Sequence, residues 1–182
     1  MTFEKTVTLK DGRNCLLRNG VTSDGKAVLD VFNRTHEETD YLLTYSDENR
    51  FTASQEADFL QRKTDSANNV EIIAVVDDVV AGTAGIDALG MRDKIKHRAV
   101  FGIAMTKEIW GLGIGKYLME ACIECAREAG YLQLELEVVA ENERAVEMYR
   151  RAGFIEYGRN PKAFRLRTGE YQELIDMRLE LK

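Results

Sequence analysis

The spacing of hydrophobic residues changes period several times along this chain, and each change predicts an element. Two runs rich in Val, Ile and Ala, Val70–Val76 and Val79–Ala88, are separated only by Asp77-Asp78, the pattern of a β-hairpin. The charged stretch Met91–Lys96 reads as a turn, and Arg98–Met105 as a further strand. That strand carries Gly102, and glycine inside a strand marks a bulge or a close backbone approach. A helical period then takes over. Ile114, Tyr117, Leu118, Ala121, Cys122, Cys125, Ala126 and Ala129 fall on one face, with Gly130 placed to end the helix. Strict alternation returns over Leu132–Val139, where Leu132, Leu134, Leu136 and Val138 share one face and Gln133, Glu135, Glu137 and Val139 the other.

The flanks carry weaker patterns. Thr6–Lys10 and Asn14–Arg18 surround Asp11-Gly12-Arg13 and predict an opening hairpin. Ser23 or Asp24 is placed to cap a helix running to about Glu37. A polar loop containing Thr44–Asn49 leads to a second helix near Ser54–Lys63, anchored by Ala57, Phe59 and Leu60. A short helix follows Glu141-Asn142 and ends near Gly153, and strands are expected at Phe154–Tyr157 and Leu174–Leu181. The only proline is Pro161, no linker or repeat divides the chain, and 182 residues suit one domain spanning 1–182.

Composition narrows the setting. With 45% hydrophobic and 31% charged residues the chain reads as a soluble globule. A net charge of −6 argues against nucleic-acid or membrane adhesion, which would favour a basic face. No apolar run approaches the roughly 20 residues needed to span a bilayer, and Met1-Thr2-Phe3-Glu4-Lys5 lacks a signal peptide's apolar stretch, so a cytoplasmic location is expected. Cys122 and Cys125 form a C-x-x-C, but they lie on the apolar helix face. Cys15, His36 and His97 show no paired ligand spacing, so buried thiols and no metal are expected.

Trp110-Gly111-Leu112-Gly113-Ile114-Gly115-Lys116 stands between the strand ending at Met105 and the helix beginning near Ile114. Three glycines in five positions permit a tight turn that presents backbone N–H groups, and the helix adds positive charge at its N-terminus. An anion cradle is the reading, against a plain strand-to-helix turn. The spelling is not a P-loop, since Trp110 stands five residues before Gly115 and Tyr117 follows Lys116 where a hydroxyl for magnesium belongs. Nor does G-x-G-x-G match the dinucleotide fingerprint.

A second motif lies downstream. Asn142-Glu143-Arg144-Ala145-Val146-Glu147-Met148-Tyr149-Arg150-Arg151-Ala152-Gly153-Phe154, taken with Ile103-Ala104-Met105 leading into the glycine run, resembles the GCN5-related N-acetyltransferase (GNAT) family through its N-x-x-A-x-x-x-Y-x-x-x-G-F pattern. Gly169-Glu170-Tyr171 followed by Asp176-Met177-Arg178-Leu179 is similar to the closing strand of bacterial members. The resemblance implies an α+β fold: one mixed, mostly antiparallel sheet flanked by about four helices. It also implies that the sheet splays between the fourth and fifth strands, here Arg98–Met105 and Leu132–Val139. Acyl-CoA would enter that split. Its pantetheine arm would bond the free strand edge at Ile103, Ala104 and Met105, and its pyrophosphate the amides of Gly111, Leu112, Gly113, Ile114 and Gly115, assisted by Lys116. Asn142 carries over as a CoA contact or helix cap, and Tyr149 as the general acid that protonates the departing thiolate. The family usually has Gln or Arg where this chain has Trp110, which is expected to pack the loop against the core instead.

The implied reaction is acetyl transfer from acetyl-CoA to a primary amine by direct attack in a ternary complex, since no cysteine occupies a motif position. An ammonium must lose a proton before it attacks, so a general base is needed. Arg98–Met105 contains no carboxylate, which leaves Glu135, Glu137, Asp87 and His97, with Glu135 and His97 ranked first. A loop bearing Glu37, Glu38, Thr39, Asp40, Tyr41 and Glu48 is expected near the acceptor, where its acidity would suit a cationic amine. A non-catalytic acyl-CoA sensor and an enzyme using a longer donor such as succinyl-CoA are the alternatives. Homodimerisation is a further expectation from the family.

Overall fold

In the computed structural model, which describes residues 1–181, the strands are β1 (Glu4–Thr8), β2 (Asn14–Asn19), β3 (Val70–Val76), β4 (Val79–Ala88), β5 (Arg98–Met105), β6 (Gln133–Val139), β7 (Ile155–Arg165) and β8 (Tyr171–Glu180). The helices among the described residues are α1 (Gly25–Glu38), α2 (Ala53–Asp65), α3 (Ile114–Glu128) and α4 (Glu143–Arg151). The strands form one open sheet in the order β1-β2-β3-β4-β5-β6-β8-β7. Only β5 and β6 run parallel; every other neighbouring pair is antiparallel. The opening hairpin contributes two strands, so the pair expected to splay is the fifth and sixth counted from the amino terminus.

The central hairpin forms where the pattern placed it. Asp77 and Asp78 both take positive φ, 50° and 63°, as a two-residue turn matched to strand twist requires. Alternation along β3 then feeds two cores. Val70, Ile72, Ala74 and Val76 join Leu118, Cys122 and Ala126 of α3 in the larger one, which also takes Val146 and Tyr149 of α4. Ile73 points the other way, onto Val28 of α1 and Leu60 of α2. Helices therefore cover both faces, and each fully buried aliphatic such as Ile72, Leu118 or Leu134 contributes roughly 1.5–3 kcal/mol. Cys122 and Cys125 are unpaired and wholly buried, and burial pushes the Cys125 thiol up to about 12. They are packing atoms.

Three expectations change. The strand expected at Phe154–Tyr157 runs on to Arg165. It is the exposed edge of the sheet, so polar residues such as Arg159, paired with Glu156 and Glu173, occupy it, and Pro161 falls in a stretch where the register shifts. At Gly102 there is no bulge: the register with β4 is continuous, and an added Cβ would meet nothing within 4 Å. Asp24 does not cap α1, because its carboxylate accepts from Arg18 at 2.6 and 2.9 Å and from the Val21 N–H. The second helix does start as a capping box, with Thr52 and Gln55 bonding reciprocally.

One half-buried carboxylate lies on the sheet face that carries the second core. Glu71 of β3 sits beside Lys63, Glu56, Asp87 and Thr83, and its carboxylate lies over Gly85 across the ladder, in the space that a Cβ there would take. Lys63 is committed to Asp87 and to the Ile86 carbonyl. Burial consequently raises Glu71 from the ordinary 4.5 to about 7. Its folded value lies above its unfolded one, so the folded state holds the proton and stability falls as pH rises from about 4.5 to about 7. Glu71→Gln should therefore raise the melting temperature at pH 8, by an amount equivalent to about 1–3 kcal/mol. Near pH 4 the gain should vanish, as thermal melts at the two pH values would show.

Candidate active site

β5 and β6 pair through only three residues, Arg98, Ala99 and Val100 against Gln133, Leu134 and Glu135, and then diverge. The gap opens into a cleft of about 1190 Å³. Its apex is pinned by Arg98, whose Nε and Nη2 donate to the two oxygens of Glu135 at 2.5 and 2.7 Å. The Tyr157 hydroxyl approaches the same carboxylate at 3.5 Å.

The glycine run forms the wide end. Gly111 and Gly113 have φ of +90° and +97°, values that a side chain would strain. The first amide to bond back into α3 is that of Tyr117, to Gly113, which leaves the N–H groups of Ile114, Gly115 and Lys116 outside the helix ladder. Gly115 allows the first turn of α3 to close on Met105 and Met148, which its Cβ would meet at 2.8 and 3.3 Å. Trp110 braces the loop by donating its indole N–H to the Met105 carbonyl at 2.9 Å. The opening hairpin braces it from the other side, through the Lys10 N–H to the Leu112 carbonyl.

Ile103, Ala104, Met105, Gly111, Gly113, Ile114, Gly115, Lys116, Asn142 and Tyr149 all line this cleft, whereas Leu112 turns onto the core. Asn142 caps α4 by accepting from the Ala145 N–H at 3.3 Å, a role compatible with facing the cleft. Tyr149 is buried, its ring edge-on to Phe101 and tilted on Phe154. Burial alone pushes its phenol upward, which keeps the hydroxyl protonated.

Of the bases ranked first, neither is a free proton acceptor in the cleft. Glu135 is there, but Arg98 occupies both its oxygens. His97 is not: it precedes the paired stretch, at the closed end of the strands, and its carbonyl accepts from Leu132 and Gln133. Glu137, two residues along β6, lines the cleft and is exposed. The acidic loop after α1 reaches the cleft, but not with its carboxylates. Glu38 accepts from Arg34 and the Lys107 N–H, and Glu48 from the Tyr45 N–H, so these carboxylates hold structure. Thr39 and Tyr41 line the cleft as expected, joined by Leu42 and Leu43 rather than by the carboxylates. The loop is tied across to the β7–β8 turn, where Arg167 reaches Asp47 at 2.7 Å and stacks over Tyr45.

Residues 30–154 match the acetyltransferase (GNAT) family. This chain belongs to that family. It is 31% identical over 118 residues to the L-amino acid N-acetyltransferase AaaT of Escherichia coli (strain K12), covering 64% of this chain and 72% of the relative. The GNAT-family acetyltransferase of Streptococcus pneumoniae shares the fold with a TM-score of 0.87 and 26% identity, over 91% of this chain and 99% of that one. A GNAT-superfamily phosphinothricin acetyltransferase from Sinorhizobium meliloti, solved in complex with acetyl-CoA, has a TM-score of 0.80 at 18% identity, over 96% of this chain and 89% of that one.

For a GNAT N-acetyltransferase the charge along the cleft is informative, and of the three cations at the glycine loop sequence patterns had singled out only Lys116. Lys10 and Arg144 join Lys116 at the glycine-loop end; Arg144 comes within 3.6 Å of where a Cβ on Gly111 would stand. Arg144 lies inside the motif that pointed to Tyr149, so its position was readable; Lys10 reaches the loop only through folding. Because Gly113 requires a left-handed backbone, Gly113→Ala should cost about 1–2 kcal/mol of stability, measurable as a lowered melting temperature.

Proposed function

We propose that the chain is a single catalytic unit that transfers the acetyl group of acetyl-CoA to a primary amine by direct attack in a ternary complex. The observation that carries this reading is the polarised cleft: cations and open amides at the glycine loop, carboxylates at the apex, and Tyr149 between them. One continuous sheet from β1 to β8 encloses the family-matched segment, which supports one unit.

In this reading the pyrophosphate rests on the amides of Gly113 to Lys116, with Lys10, Lys116 and Arg144 supplying charge. The pantetheine amides extend the sheet along the open edge of β5 at Ile103, whose backbone groups point away from β4, and Gly102 leaves room for the thioester. Trp110 does through packing what a polar side chain at that place does by contact. A backbone N–H of this edge faces the oxyanion as the amine adds to the carbonyl. Glu137, directly or through one water, takes the proton of the ammonium, while Glu135, fixed by Arg98, holds negative charge near the nitrogen. The C–S bond then breaks and the Tyr149 hydroxyl protonates the thiolate of CoA. The name of the E. coli relative points to the α-amine of an amino acid or its derivative as the acceptor to begin from. A cytoplasmic homodimer is part of the same reading.

Tyr149→Phe retains the packing on Phe101 and Phe154 but removes the proton. It should lower kcat by roughly a hundredfold while acetyl-CoA affinity, measured by calorimetry, stays the same. Unchanged kcat would remove Tyr149 from the acid role.

A further inference from the structure

The acceptor end of the cleft has a lining that its acidity does not explain. Leu43, Leu89, Val100 and Tyr157 are among the large hydrophobic side chains left exposed on this protein, at 80%, 39%, 38% and 51%, and all four line this one cleft. They converge from three directions. Leu43 comes from the loop that Arg167 ties to the β7–β8 turn, Leu89 from just past the end of β4 and Val100 from the start of β5 paired with it, and Tyr157 from β7 beside Glu135. Exposed apolar surface gathered around a pocket marks the part of a ligand that leaves water there.

Carboxylates outnumber guanidiniums at this end. Glu135 and Glu137 line it, and Asp176 stands opposite Glu137 on β8. Two guanidiniums stand here and both are engaged: Arg98 spends Nε and Nη2 on Glu135, and Arg178, lying over the Tyr157 ring, pairs with Glu180. Lys10, Lys116 and Arg144 stand with the glycine loop at the far end. An ammonium is welcome at the apex, but a carboxylate beside it would face carboxylates and two guanidiniums that are already engaged.

We infer that the acceptor is a primary amine borne next to an aromatic or branched aliphatic group and lacking a free carboxylate, with its apolar body held by Leu43, Leu89, Val100 and Tyr157. This rests on the N-acetylation reading and narrows it: the α-amine belongs to a carboxyl-blocked apolar residue rather than to a free or hydrophilic amino acid. The side chain sits against the four apolar residues, the blocked carboxyl points away from Arg98, and the ammonium lies toward Glu137.

The test compares L-phenylalaninamide, L-phenylalanine and L-serinamide with acetyl-CoA, following release of the CoA thiol. The kcat/KM for L-phenylalaninamide should exceed each of the others by about tenfold or more, the discrimination that a few buried carbons or one unpaired charge supports. L-phenylalanine equal to its amide would overturn the carboxylate part, and L-serinamide equal to L-phenylalaninamide the apolar part, with N-acetylation itself intact. Acetyl-CoA binding by calorimetry with no thiol release from any of the three would overturn the N-acetylation reading and this inference together. Leu43→Asp alters a side chain that is 80% exposed and leaves the core untouched. It should shrink the ratio of L-phenylalaninamide to L-serinamide by about fivefold or more; an unchanged ratio would remove Leu43 from the acceptor surface.

Discussion

Backbone hydrogen bonding between β5 and β6 stops after Val100 and Glu135, in the middle of an eight-stranded sheet. Everything functional in the molecule follows from that interruption. Strand groups left unpaired inside a fold must find partners in water or in a ligand, and a ligand that itself carries amides in extended geometry is a natural partner. The interruption is held open from both ends. At the apex Arg98 binds Glu135 and fixes the point of divergence. At the wide end the loop after β5 is braced by Trp110 on Met105 and by Lys10 on Leu112, so the last strand residues and the glycine amides keep a constant relation.

Charge then divides the opening into two halves. The loop end gathers open amides and the side chains of Lys10, Lys116 and Arg144, suited to phosphates. The apex gathers carboxylates within an apolar rim, suited to an amine with a hydrophobic body. Tyr149 lies between, buried against Phe101 and Phe154, where exclusion of water keeps its proton in place. A transfer reaction needs donor and acceptor to meet from opposite sides, and this distribution separates them before they meet.

Much of this was legible in the sequence, for identifiable reasons. The β3–β4 hairpin and β5 coincide with their patterns because they are interior strands whose apolar runs are bounded by turn residues. The glycine loop and the Asn142-to-Phe154 motif were readable because their chemistry is local: positive φ, a helix cap, a tyrosine on one helix face. β7 was read too short because an edge strand needs no apolar alternation, and most of Ile155–Arg165 is exposed. The acceptor end was the least legible part. Glu135 scanned as a free carboxylate until folding brought Arg98 to it, and at and beyond the end of α1 Glu38 and Glu48 turned to backbone amides while Leu42 and Leu43 turned to the cleft. Such pairings depend on residues far apart in the chain, which periodicity does not report.

Hydrogen–deuterium exchange with and without acetyl-CoA reads the backbone groups that the parted strands leave open. Acetyl-CoA should slow exchange at the Ile103–Met105 edge and the Gly111–Lys116 amides and leave the rest of the sheet as it was. Protection elsewhere with these two segments unchanged would contradict a donor site between the parted strands.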